Sequence, residues 1–229
     1  MEFIVLLMIF VIMYFILKYF FDVNIEKIKE IGEDKKLDKI AQKYPENTEI
    51  CKIYLKKLNN ENVKIEENKN SNTTLYLIMS NKIFIANLKD SYTRIQTIAH
   101  ECLHSIQSKK LLWFNFIFSN IYIIYFLIIC ILAIFKLIPY KMMLLSILIL
   151  FGLIYYVVRS YLENDAMIKA RFLAKEYMEE IKISAEEEIE NIVKKYDELN
   201  DIGIKCTNFQ LFSSTIIKCI IFCLICIFR

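Results

Sequence analysis

The sequence predicts an α+β membrane protein that is mostly helical, with three or four transmembrane helices and a small aqueous minidomain that contains a short antiparallel sheet. Two observations support this fold class. Of the 229 residues, 56% are hydrophobic and 24% are charged, and the mean hydropathy is +0.38, which is too apolar for an ordinary soluble domain. The apolar residues also gather in four runs, and short alternating segments lie between the first two runs.

Each apolar run is close to the ~20 residues that cross a bilayer as a helix. The first run is expected to be an uncleaved anchor, because Glu2 stands where a signal peptide has basic residues and no small residue precedes Gly32. The last run is the weakest candidate because Lys218 interrupts it. The expected organisation is an anchor at 1–21, a minidomain at 22–110, a transmembrane hairpin at 111–158, a helical segment at 159–210 and a C-terminal membrane helix at 211–229.

The hairpin turns at Pro139, so the segments on either side of it are expected on the same face of the membrane. Lys and Arg residues near the membrane ends are concentrated on that face, which predicts a cytoplasmic location. Seven cysteines, expected as free thiols, suit that reducing compartment. The net charge of +3 comes from interspersed basic and acidic residues, which gives no support for nucleic-acid binding.

Within the minidomain, the pattern predicts a helix from 47 to about 60, a strand at 63–66 and a hairpin whose strands are 74–79 and 82–86. The hairpin loop is expected to be the two-residue pair Ser80-Asn81. Neither glycine nor proline occurs from Tyr92 to Ile138, so the sequence contains no break signal between the next helix and the second apolar run.

The only two histidines of the chain stand four residues apart around a glutamate, in the H-E-x-x-H sequence formed by residues 100–104. On a helix this spacing places both imidazoles on one face, about 6 Å apart along the axis, where one Zn²⁺ can bind both. Glu101 then lies beside the water that a zinc ion activates. The pattern predicts the active site of a zinc peptidase in a zincin-like minidomain, and the alternative is a solvated helix with two chance histidines.

A catalytic zinc site takes three protein ligands, and the third here is expected to be a carboxylate. Glu163 and Asp165 follow the third apolar run closely, at the same expected shallow depth as the histidines, whereas the other acidic residues lie further along charged helices. Glu163 is the preferred ligand. Asp165 could hold the outer nitrogen of a histidine ligand or form an ion pair with Lys169, and both interpretations remain open.

A zinc peptidase also needs a donor for the oxyanion, and three residues near Glu163 are candidates: Tyr156, Arg159 and Tyr161. Tyrosine and arginine also anchor helix ends at the membrane interface, and this is the stronger interpretation of all three.

The chain resembles the YugP-like membrane zinc metallopeptidases of bacteria, which are of the gluzincin type. The resemblance rests on the H-E-x-x-H-x-x-Q sequence at 100–107, a transmembrane hairpin, and the E-x-D-A sequence at 163–166, and it extends from about residue 47 to the end. It implies that His100, His104 and Glu163 bind one Zn²⁺, that Glu101 is the general base, and that Asp165 holds a zinc ligand. It also implies an integral protein of a bacterial-type plasma membrane.

The expected function is therefore a membrane-embedded zinc metalloendopeptidase that cleaves membrane or juxtamembrane proteins. Strand 82–86 is expected to present an open edge to an extended peptide. The HtpX-like and CAAX prenyl protease families share the layout, but their pattern requires an acid where this chain has Met167. The sequence is also compatible with a non-catalytic zinc-binding membrane adaptor and with a zinc hydrolase of a non-peptide bond, and it leaves the oligomeric state open.

Overall fold

The computed structural model describes residues 1–68, 71, 73–88 and 91–228. These residues form eight helices and a three-stranded sheet, so the expectation of a mostly helical protein is confirmed. The elements in chain order are α1 (Glu2–Phe20), α2 (Ile25–Gly32), α3 (Lys35–Ala41), α4 (Asn47–Lys57), β1 (Lys64–Asn68), β2 (Leu75–Leu77), β3 (Lys82–Ala86), α5 (Arg94–Ile106), α6 (Lys109–Ile134), α7 (Lys141–Ile181) and α8 (Glu186–Phe228).

Four of the described helices, α1, α6, α7 and α8, are long and apolar enough to cross a membrane. The chain divides into two compact units. The apolar unit comprises Met1–Val23, Trp113–Tyr161 and Lys205–Arg229, and the site unit comprises Asn24–Leu112 and Leu162–Ile204.

In the apolar unit, α7 and α8 approach each other at Gly152. A Cβ atom at this position would collide with the side chain of Thr215, so only glycine permits this separation of the two helices. Tyr122 of α6 donates a hydrogen bond to the Thr215 hydroxyl, with 3.2 Å between the oxygens. Thr215 of α8 therefore contacts both neighbours: its side chain packs against Gly152 of α7, and its hydroxyl accepts the hydrogen bond from α6.

The site unit has its own core, in which α5 is central. The apolar face of α5, formed by Ile95, Ile98, Ala99 and Cys102, is fully buried. It packs with residues of α4, β3, α7 and α8 in a single buried cluster. On α7, the small residues Ala166, Ala170 and Ala174 are buried, as their helical spacing predicts.

Arg94, at the start of α5, is 1% exposed and holds the chain between α3 and α4. Its two terminal nitrogens donate to four oxygens at 2.7–2.9 Å, all of which are neutral. Three acceptors are backbone carbonyls and the fourth is a side-chain amide: Ala41, Tyr44, Pro45 and Asn47. The guanidinium thus links the end of α3, the following turn and the first residue of α4.

The sheet is mixed, and the expectation of an antiparallel sheet is wrong for one of its two strand pairs. Its order is β1-β3-β2, with β3 antiparallel to β2 but parallel to β1. The alternation of apolar and polar residues identifies strands but carries no information about the direction of a neighbour.

The hairpin between β2 and β3 also differs from the predicted two-residue turn. Leu77 pairs with Lys82, which leaves a loop of four residues, 78–81. Asn81 at the end of this loop has φ 47°, a left-handed conformation that asparagine tolerates better than most residues. The Ser80-Asn81 pair marks the turn correctly, but the turn begins two residues earlier.

The chain breaks between α5 and α6 although neither glycine nor proline is present. Gln107 has an extended backbone conformation, with φ −61° and ψ 160°, and α6 begins at Lys109. The Gln107 side chain donates to the backbone carbonyl of Leu162 on α7, with 2.8 Å between the two atoms. A hydrogen bond to a residue distant in sequence therefore accompanies a break that local sequence signals do not predict.

Candidate metal centre

The candidate metal ligands all belong to the site unit: α5 carries both histidines, and α7 carries Glu163. Residues 100 and 104 are one helical turn apart, and the Nε2 atoms of the two imidazoles are 3.0 Å apart. The Glu163 carboxylate approaches both rings, with 3.4 Å from Oε2 to Nε2 of His100 and 3.7 Å from Oε1 to Nε2 of His104. The structure thus brings together the three residues expected to bind a metal, and their donor atoms lie within 4.8 Å of one another.

These three side chains could hold a metal ion. Bonds of about 2.0–2.2 Å at tetrahedral angles place the donor atoms of a zinc site about 3.3–3.6 Å apart. The observed separations of 3.0, 3.4 and 3.7 Å bracket that range. Two imidazole nitrogens and one carboxylate form a donor set that suits zinc and other transition metals, whereas Ca²⁺ and Mg²⁺ prefer oxygen ligands.

Gln107 determines which nitrogen of His104 faces the cluster. Its amide nitrogen donates to the Leu162 carbonyl at 2.8 Å and to Oδ2 of Asp165 at 3.2 Å, so its amide oxygen must face the other way. That oxygen lies 2.8 Å from Nδ1 of His104. Since an oxygen only accepts, Nδ1 carries the hydrogen, and in the neutral ring the lone pair is on Nε2, toward His100 and Glu163.

Asp165 forms the ion pair considered for it, but the histidine nitrogen that it was expected to hold is bonded to Gln107 instead. Its Oδ1 lies 2.6 Å from Nζ of Lys169, and its Oδ2 accepts from Gln107. Asp165 is therefore joined to His104 through the Gln107 amide, which is a longer connection than the direct contact considered from the sequence.

Glu101 is adjacent to His100 in the chain but is not one of the three residues whose donor atoms converge. The residue is 8% exposed, and its Oε2 accepts a hydrogen bond from the backbone N–H of Tyr76 at 2.6 Å. Burial raises the pKa of the Glu101 carboxyl above its usual value, while His100, His104 and the Tyr76 N–H oppose this rise. A carboxylate with a raised pKa is a better proton acceptor than a carboxylate with the ordinary pKa.

The pKa of His104 is also raised. Burial alone would lower the pKa, but hydrogen bonding to Glu163 and the negative charges of Glu101 and Glu163 favour the imidazolium and outweigh burial. In the metal-free protein, a proton on His104 is therefore stabilised by the same carboxylate that could share a metal with it.

The three candidate oxyanion donors belong to the apolar unit. The ring of Tyr156 packs against Phe212, with centroids 5.0 Å apart, and Tyr161 is 61% exposed. The role of Tyr156, Arg159 and Tyr161 in a reaction stays a prediction.

The position of β3 contradicts the expectation that strand 82–86 presents an open edge. β3 is the central strand, and both of its edges are paired. The strand next to Glu101 is β2, which lies at the outside of the sheet. The Tyr76 N–H donates to Glu101 and therefore faces away from β3. Because the N–H and carbonyl of one residue in an antiparallel strand point the same way, the Tyr76 carbonyl also faces away from β3.

Two contributions to the site were missed from the sequence: the Tyr76 N–H and the Gln107 amide. A backbone donor leaves no signal in the sequence. Gln107 did carry a signal, because it stands three residues after His104, a spacing that brings two side chains together on one face of a helix. Comparison of the chain with protein-family models, with curated proteins and with solved structures found no match to any of them.

Proposed function

We propose that this protein is a membrane-embedded zinc metalloendopeptidase with a single catalytic Zn²⁺ held by His100, His104 and Glu163. The observation that carries the proposal is the convergence of these three donors beside Glu101, a buried carboxylate that a backbone N–H holds in place. A site that only bound metal would not need such a group, whereas hydrolysis requires a base at this position.

A bound zinc would supply a Lewis acid that polarises the peptide carbonyl and lowers the pKa of water toward ~7. Glu101 would take the proton from that water and return it to the nitrogen of the leaving amine. The Tyr76 N–H holds Oε2 of Glu101, which orients the carboxylate and leaves Oε1 for proton exchange. Gln107 would keep the Nε2 lone pair of His104 directed at the ion.

The outer edge of β2 provides a way to hold an extended substrate. Its Tyr76 carbonyl faces away from β3, beside the base. A peptide that hydrogen-bonds to this edge would extend the sheet by one strand and bring its backbone past Glu101. β2 therefore replaces strand 82–86 as the proposed substrate-binding strand.

The proposed substrates are membrane proteins or juxtamembrane segments. The support is the four helices suited to a membrane, together with the location of Glu163 on α7, one of those four helices. The charge distribution supports a cytoplasmic site. The resemblance to the YugP-like metallopeptidases, carried by the residues at 100–107 and 163–166, supports the same activity and a bacterial-type plasma membrane.

Replacing Glu101 with glutamine tests the proposal. We expect Glu101→Gln to retain one zinc per chain and to lose at least about 10²-fold in peptide hydrolysis, because an amide cannot accept the proton. The measurements are metal content of the protein purified in detergent and cleavage of a membrane-protein mixture followed by mass spectrometry. Glu67→Gln, which changes an exposed carboxylate on β1, is the matched control.

The same comparison distinguishes the enzyme from the other candidates. A metal-binding adaptor would bind zinc but release no peptides from any membrane preparation, and this result would refute peptidase activity. Loss of zinc from Glu101→Gln would contradict the role of Glu101 as a base that is not a ligand. A hydrolase of non-peptide bonds would leave the proteome unchanged while Glu101→Gln altered other membrane components.

A further inference from the structure

A buried carboxamide, Asn200, joins the two helices that carry the candidate metal ligands. Asn200 lies on α8 and is 7% exposed. Its Oδ1 accepts a hydrogen bond from Nε2 of Gln96 on α5, at 2.6 Å. Its Nδ2 donates to the backbone carbonyl of Met167 on α7, at 2.9 Å. One side chain thus contacts both α5 and α7, and both of its polar atoms are used.

The two contact points lie next to the ligands. Gln96 precedes His100 by four residues on α5, and Met167 follows Glu163 by four residues on α7. Four residues correspond to about one turn, or about 6 Å of helix. Because each helix is rigid over one turn, the separation that Asn200 imposes on Gln96 and Met167 is transmitted to the histidines and Glu163.

The neighbouring contact of α8 with Tyr92 does not perform the same task. Tyr196 stacks on Tyr92 at 5.9 Å and donates from its hydroxyl to the Tyr92 carbonyl at 2.7 Å. Tyr196 also receives a hydrogen bond from the backbone of Gln96 on α5, but neither of its two hydrogen bonds is made to α7. Asn200 instead bonds to α5 and α7 at once, and its two bonds require an acceptor and a donor on the same side chain. A carboxamide meets this requirement, whereas an aspartate has no donor for the Met167 carbonyl.

We propose that Asn200 is a positioning residue that sets the distance between α5 and α7 and thereby the geometry and affinity of the metal site. This inference rests on the proposed metal binding by His100, His104 and Glu163. It adds a residue of a third helix, outside the H-E-x-x-H and E-x-D-A sequences, to those on which the site depends.

The chain offers a matched control on the same helix. Asn208, also 7% exposed, lies two turns further along α8 and accepts a hydrogen bond from the Ser160 hydroxyl of α7. Asn200→Leu and Asn208→Leu therefore each remove a buried amide that bonds α8 to α7. Asn200 in addition accepts the hydrogen bond from α5, so Asn200→Leu also releases the helix that carries the histidines.

The test measures Co²⁺ binding to the full-length chain in detergent, by visible absorption, with Zn²⁺ competition and thermal unfolding as accompanying measurements. Asn200→Leu is expected to weaken Co²⁺ binding about tenfold or more and to change the visible spectrum, because the ligand geometry changes. Asn208→Leu is expected to lower the unfolding midpoint but to bind Co²⁺ as the wild type does.

Gln96→Leu provides a second route if Asn200→Leu does not fold, because it removes the α5 contact and leaves the Asn200 bond to Met167 in place. It is expected to weaken Co²⁺ binding in the same direction. Wild-type affinity and an unchanged spectrum in these variants would overturn the positioning role while leaving the metal proposal intact. Equal weakening by Asn208→Leu would also overturn it, since a general loss of stability would then account for the effect. A wild-type protein that binds neither Co²⁺ nor Zn²⁺ would overturn both proposals.

Discussion

Replacing Glu163 with glutamine is expected to weaken zinc binding by about two orders of magnitude. The substitution keeps the size of the side chain but removes the negative charge that approaches both imidazoles, at 3.4 and 3.7 Å. Four-ligand zinc sites bind with about 10–16 kcal/mol, so one ligand contributes about 2.5–4 kcal/mol. Since each 1.4 kcal/mol is a factor of ten, loss of about 3 kcal/mol raises the Kd about 100-fold.

The assay is competition for Zn²⁺ between the purified protein and a chromophoric chelator at neutral pH. Glu176→Gln is the control, because Glu176 lies on the same helix, is exposed, and pairs with Lys57 rather than with a histidine. It should bind zinc as the wild type does. If Glu163→Gln changed the Kd less than about threefold, the third ligand would have to be a different residue.

Four further predictions concern the candidate ligands and their surroundings. Gln107→Leu leaves the Nδ1 hydrogen of His104 without its acceptor and is expected to weaken zinc binding about 10–100-fold in the same chelator assay. Zinc binding as tight as that of the wild type would show that the amide does not orient the ring. Tyr76→Pro removes the N–H that holds Glu101 and is expected to lower peptide cleavage about tenfold or more, with the zinc content unchanged. Tyr76→Phe is the control, because it keeps the N–H and should retain activity. The raised pKa of His104 in the metal-free protein predicts that zinc affinity falls as the pH drops through that raised value, because protons and zinc compete for Nε2. The raised pKa also predicts that protonated His104 stabilises the metal-free fold fully below its ordinary pKa of about 6.5 and that this contribution is lost as the pH rises through the raised value. Thermal unfolding of wild type and Glu163→Gln across pH would measure this change.

The grouping of the candidate ligands was predictable from the sequence because most of it is local. A spacing of four residues brings two histidines together on any helix, and α5 is formed by an apolar face that the sequence shows directly. Predicting Glu163 required one further step. The helix that continues from the third apolar run was expected to place an acidic residue on the side of the membrane that carries the histidines. That inference used position along the chain and no knowledge of side-chain contacts.

Features that depend on contacts between distant segments were not predictable in the same way. The parallel pairing of β1 with β3, the break at Gln107 and the donor supplied by Tyr76 each depend on a partner at least 18 residues away. Hydrophobic periodicity identifies the face of each element but not the element that it meets. The sequence therefore predicted the grouping of the candidate ligands better than the groups that contact them.

The buried guanidinium of Arg94 limits how α5, the helix that carries the histidines, could be moved into another protein. All four hydrogens on its terminal nitrogens are donated to the turn at 41–47, which belongs to a part of the chain remote in sequence from the histidines. A graft of α5 alone would leave a charged group in an apolar core without acceptors, so its first residue would need an apolar substitute. The H-E-x-x-H segment of this protein could therefore be transferred to another protein only together with that turn.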